Sequence, residues 1–196
     1  MKYVPKKMIK KSRFKDFYLT LDNDVRKNVS SNIDKLINEN PSYTDKKNFS
    51  YLCNLFTSLA LEQVFEDMGK SRKESIEIVK NAMYKYIEPQ VEEMKKLSKS
   101  KYFIPFLKVT MPIKFKLTLG YGWQLEFPKA SADEFKMTTH KCIFSEIFSK
   151  YNIPEMTAIF CHVDDILYKN LPGADFIYTE QIGTGGKVCD YTFKRK

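Results

Sequence analysis

The residue types best suited to chemistry gather in the last third of this 196-residue chain: Cys142, Cys161 and Cys189, with His140, Asp164 and Asp190 among them. A cysteine supplies a nucleophile or a soft metal ligand once it is a thiolate, and a carboxylate of raised or ordinary pKa moves protons. Cys161 and Asp164 stand in C-x-x-D order within PEMTAIFCHVDDIL. On a helix, residues three apart share a face. At 100° per residue, Met156, Phe160, Val163, Leu167 and Leu171 fall within about 80° and define a core stripe, with Thr157, Cys161, Asp164 and Tyr168 on its flank. That flank is partly buried, where a polar group is paired or functional. His162 projects to the far side, towards solvent, and Asp165 lies between, less buried than Asp164.

The stretch QIGTGGKVCD, residues 181–190, places three of the seven glycines within four residues. It lacks the first glycine of a phosphate-binding loop and the Ser or Thr after its lysine. It therefore predicts a hairpin connection in which glycine supplies positive φ, returning Cys189 and Asp190 alongside Thr179 and Gln181. In the strand that follows, Cys189, Tyr191 and Phe193 share one face, and Val188, Asp190 and Thr192 the other. Cys142 falls where a strand gives way to a helix, a position whose free N–H groups are expected to depress a thiol pKa. Cys53, among Leu52, Leu55 and Phe56, reads as a packed core residue.

The elements that position these groups follow from periodicity. Helices are predicted over Asp22–Asn38, over Thr44–Met68 with Thr44 as cap and Gly69 as stop, and from a Ser71/Glu74 capping box to about Lys99 with a kink or break at Pro89. A further helix from Tyr102 continues past Pro112. Trp123–Phe127 and Glu134–His140 alternate like a hairpin, which puts His140 on the face of Thr138. Helices over Ile143–Tyr151 and Pro154–Leu171 come next, then strands over Asp175–Ile182 and Lys187–Phe193. Helices first and an antiparallel sheet later make an α+β fold. One domain over 1–196 is expected, with a basic and flexible arm at 1–15, a mainly helical part at 16–119, and a hairpin, two helices and a hairpin at 120–196.

The formal net charge of +9 is terminal. Residues 1–15 hold seven Lys or Arg and no acid, and Lys194, Arg195 and Lys196 add three, leaving 23 basic against 24 acidic residues elsewhere. A neutral body with a basic arm argues against nucleic acid as a partner. There is no apolar run of signal-peptide or membrane-span type, so a cytoplasmic protein without a membrane partner is expected. Widely spaced cysteines without a CxxC pair argue against a disulfide framework, and ligands scattered over several elements argue against a metal. No cofactor is expected.

Cys142 at the opening of a helix, PEMTAIFCHVDDIL with its Cys161 and Asp164, and PGADFIYTEQIGTGGKVCDYTF, in that order and spacing, resemble the L-2-amino-thiazoline-4-carboxylic acid hydrolase family. The resemblance implies a small cytoplasmic α+β enzyme that opens a cyclic amidine by hydrolysing a non-peptide C–N bond. Cys161 or Cys189 would attack the amidine carbon or position water, and Asp164 or Asp190 would carry protons. His140, Cys142, Thr179, Gln181 and Thr184 would line the small-molecule substrate. Two other readings stand beside it: a binding protein that encloses an apolar ligand without turnover, and a family member recruited to a biosynthetic step on a related heterocycle.

Overall fold

The computed structural model describes residues 3–196. The chain divides into two compact units, one running to Tyr86 and joined by Thr118–Tyr121, the other formed by Ile87–Leu117 and Gly122–Lys196.

The first unit is helical: α1 (Pro5–Lys11), α2 (Lys15–Thr20), α3 (Asn23–Glu39), α4 (Phe49–Asp67) and the beginning of α5 (Arg72–Ser98). The segment expected to be a solvated arm is helical in part, with Met8 and Phe14 fully buried and Ile9 nearly so. The reason is visible in the spacing: apolar residues interrupt the basic run often enough to give α1 an inner side, while the lysines keep to the outer one. Helix α3 buries Val29, Ile33 and Leu36 along one stripe. Helix α4 is buried on most of its circumference, the pattern of a central core helix.

Helix α4 begins later than Thr44. The Asp45 carboxylate accepts the N–H groups of Lys47 at 2.7 Å and Asn48 at 2.9 Å, which turns the chain before the helix. Asn48 then holds residues 118–121: its amide donates to the Tyr121 carbonyl at 2.8 Å and its side-chain oxygen accepts the Gly120 N–H at 3.0 Å. The far end stops at Gly69, φ 85°, with the Lys70 N–H closing back on the Phe65 carbonyl at 3.1 Å. The capping box forms, with the Ser71 N–H donating to Glu74 at 2.9 Å and the Glu74 N–H to Ser71 at 3.3 Å. Helix α5 runs unbroken across Pro89.

In the second unit, α6 (Phe103–Thr118) continues through Pro112, and four strands follow: β1 (Gln124–Glu126), β2 (Glu134–Lys141), β3 (Ala174–Ile177) and β4 (Cys189–Arg195). They form one antiparallel sheet in the order β1-β2-β4-β3. The fold is α+β. Phe135 and Met137 of β2, Cys189, Tyr191 and Phe193 of β4, and Ala174 and Phe176 of β3 form the buried face, with Thr139 opposite Cys189. Each such large apolar side chain contributes about 1.5–3 kcal/mol by leaving water.

Helices α7 (Ile143–Lys150) and α8 (Glu155–Tyr168) enter between β2 and β3. Helix α7 buries Ile143, Phe144, Ile147 and Phe148, and its Phe144 stacks on Phe160 of α8 with ring centroids 4.4 Å apart. Tyr168, at the end of α8, sets its ring edge-on to Phe193 at 5.1 Å. The connection between β3 and β4 is longer than a glycine hairpin. It spans residues 178–188 and contains a 3-10 turn at Ile182–Thr184, with Gly185 in left-handed conformation at φ 95°.

Candidate active site

The 178–188 connection lies against α8, and this contact assembles the site. A side chain at Gly183 would place its Cβ 2.6 Å from the Cys161 sulfur and 3.0 Å from the Ala158 nitrogen, so only glycine permits the approach. The Gly183 N–H then donates to the Cys161 sulfur, and the Ile182 N–H donates to the Cys189 sulfur at 3.3 Å. The last two strands were expected to turn tightly at the glycines. Instead Gly183 serves a helix contact, and positive φ is needed only at Gly185.

Cys161 on α8 and Cys189 on β4 are hydrogen-bonded to each other, both more than 90% buried. That bond shifts the two thiols in opposite directions. The Cys189 thiol is drawn down to about 7, first by the hydrogen bond from Cys161, against the opposing effect of burial, and with help from the Ile182 N–H and the Tyr191 hydroxyl. Cys161 is pushed up, first by its bond to Cys189 and then by burial. Tyr191, two residues along the same strand face, is itself held by Gln181, whose Nε2 donates to its hydroxyl at 3.1 Å. Gln181, Tyr191 and Cys189 thus form a chain of donors that ends on sulfur.

Cys142 and Asp164 complete the group. Asp164 is an electrostatic neighbour of Cys142, Cys189 and Tyr191, and Cys142 in turn feels Cys189. Cys142 does occupy the cap position of α7, but its thiol is raised to about 11 rather than depressed. Burial dominates, and the N–H groups of Ser145 and Phe144 offset it only in part.

Asp190 and His140 stand elsewhere. Strand alternation turns both from the sulfurs: Asp190 pairs with Thr138, while Cys189 pairs with Thr139. The Asp190 carboxylate accepts the N–H groups of Thr179 at 2.9 Å and Glu180 at 3.0 Å and the Thr179 hydroxyl, bonds that hold it ionised below the usual carboxylate range despite its burial cost. It anchors the connection, with Thr179 as its partner. His140 is exposed and reaches Glu126 at 3.2 Å. Thr184 donates to the Gln181 carbonyl at 3.1 Å and so closes the 3-10 turn. His162 is exposed, as the helical wheel predicts, and faces Asp165 at 3.5 Å, where Tyr178 and Lys169 also converge.

Sequence reasoning singled out neither Tyr191 nor the N–H groups of Ile182 and Gly183. Tyr191 carried a signal, being two residues from Cys189 on the same strand face. The backbone donors carried none. Thr157, one turn before Cys161 on the same stripe, is also buried, and its hydroxyl has no hydrogen-bond partner among the described residues. No group of three or more His, Cys, Asp or Glu side chains among the described residues is arranged to hold a metal ion. No helix among them is long and apolar enough to cross a membrane.

No curated protein matches the chain. Among solved structures, an unliganded Fe(II) H-NOX protein mutant from K. algicida aligns over 96% of this chain and 95% of that one with 10% identity, at a TM-score of 0.35 too low to bear on fold or function. The sequence profile of L-2-amino-thiazoline-4-carboxylic acid hydrolase matches residues 53–193, a span that takes in Cys142, Cys161, Asp164 and Cys189. The chain belongs to the L-2-amino-thiazoline-4-carboxylic acid hydrolase family.

Proposed function

We propose that this protein hydrolyses a cyclic amidine of the 2-amino-thiazoline-4-carboxylate kind, with Cys189 as nucleophile. The observation that carries the reading is the Cys161–Cys189 pair, in which one buried sulfur accepts from the other and is thereby poised near neutrality. A thiolate with a pKa near ambient pH combines a useful ionised fraction with retained nucleophilicity.

The Cys189 sulfur adds to the amidine carbon, and the π electrons move onto nitrogen. The tetrahedral adduct collapses by breaking the ring C–N bond, the departing nitrogen taking the Cys161 proton. The carbon is left bonded to Cys189, the former ring sulfur and the exocyclic nitrogen. Water then adds to that carbon, returns a proton to Cys161 and expels the Cys189 thiolate, so one water is consumed and the ring is opened. Asp164 faces the positive amidinium and receives protons during water attack. The Thr157 hydroxyl offers the substrate an otherwise unused hydrogen bond. Gln181 and Thr184 position the 3-10 turn, and Cys142 packs beside the reacting carbon. As both sulfurs are covered, the 178–188 connection lifts to admit substrate.

Turnover of 2-amino-thiazoline-4-carboxylate, followed by chromatographic loss of the heterocycle, tests the reading. Cys189→Ser is expected to lower kcat/KM at least about a thousandfold, and Cys161→Ser to retain slow turnover. Full activity in both variants rules out covalent cysteine catalysis.

A further inference from the structure

The second unit contains an apolar cavity of about 480 Å³ between the end of α5, helix α6 and the Phe193 end of the sheet. We propose that this cavity is a second ligand site and that it takes a single-chain amphipathic anion, a carboxylate on a long apolar tail. This inference does not depend on the reaction proposed for the cysteines.

The cavity's size lies within the ~300–1,000 Å³ range of small-molecule sites. Its floor is built core: Phe103, Leu107 and Phe193 are 6%, 9% and 5% exposed. Its rim is not, since Leu97 and Phe106 are 57% and 60% exposed although they line the same space. Met111 adds an unbranched, adaptable wall. A long flexible tail suits such a wall better than a flat ring with fixed polar edges, because few polar atoms in the lining could hold those edges in register.

Charge selects the head group. Lys114 is the charged side chain of the cavity lining, and Lys101 lies over the ring of Tyr102 in the same lining. Cations at the rim of an apolar cavity favour an anion and disfavour a second copy of the same face, which would bring like charges together. The recessed floor favours a single chain over the flat surface of a bilayer.

The site is separate from the sulfurs. Tyr168, Phe176, Tyr191 and Phe193 fill the intervening space, with centroids 4.9–5.1 Å apart between Phe193 and Tyr168, Phe193 and Phe176, and Phe176 and Tyr191. Along β4, Phe193 is about 13 Å from Cys189.

Calorimetric titration of the full chain with laurate, dodecanol and dodecyltrimethylammonium, each below its micellar concentration, tests the proposal. Laurate is expected to bind one-to-one and at least tenfold tighter than the cation. Lys114→Gln should weaken laurate about fivefold and leave dodecanol unchanged. Thr110→Trp, which fills the cavity from its rim, should abolish binding while circular dichroism reports a folded protein. Should that variant unfold, the Lys114→Gln comparison decides alone. Cys189→Ser should bind laurate like the parent, which separates this site from the reaction. The proposal is overturned by equal affinities for the three probes, by binding of several equivalents, by no saturable binding, or by a folded Thr110→Trp variant that binds undiminished. Flotation with phosphatidylglycerol vesicles without a one-to-one laurate isotherm would reassign the face to a bilayer and likewise overturn it.

Discussion

The hydrogen bond between Cys161 and Cys189 moves the two buried thiols in opposite directions, which no other cysteine among the described residues experiences. Burial alone raises Cys53 to about 12 and contributes most to raising Cys142 to about 11, whereas Cys189, also buried, falls to about 7 because donors surround it. The sign of the pH dependence follows. The thiolate form of Cys189 grows as pH rises through its lowered pKa, so kcat/KM should climb through about pH 7 and level off above it. Tyr191→Phe removes one donor to that sulfur and should move the rising limb to higher pH, while the fold, read by circular dichroism, is kept. An unshifted limb would mean that the hydroxyl does not act on Cys189.

Local pattern announced the elements, and long-range contact set what they do. The stripe on α8 was legible from spacing: Val163 and Leu167 are buried, Cys161 lies on the flank, and His162 points to solvent. Alternation along β4 likewise placed Cys189 and Tyr191 inward. The 178–188 connection was not legible, because its shape comes from packing on α8 rather than from its own sequence; three glycines read equally well as a hairpin. The Cys142 pKa failed for a related reason, since a cap position is local but the burial that overrides it is tertiary. Gly183→Ala tests the connection. Its methyl would meet the Cys161 sulfur at 2.6 Å, so either α8 or the turn must yield. The expected result is a destabilised protein, by about 1–3 kcal/mol in urea unfolding, with activity lost out of proportion to the folded fraction.

At the level of the whole molecule, composition misled about the N-terminus. A run of lysines suggested a solvated tail, yet charge says only where side-chain tips go, and the apolar residues between them decide whether the backbone is held. Phe14→Ala should cost about 3–5 kcal/mol in urea unfolding, as expected for a buried aromatic and not for a residue in a loose arm. The sheet carries a different whole-chain consequence. Strand β4 is paired on both sides, to β2 and to β3, and parity along it puts sulfur inside and carboxylate outside. Within that strand the count of residues matters as well as their identity. Deleting Thr192 while the downstream pairing is kept would carry Asp190 inward and Cys189 and Tyr191 outward, silencing the site although every chemical group placed in it survives. Deleting Lys187, in the connection, would leave that parity intact.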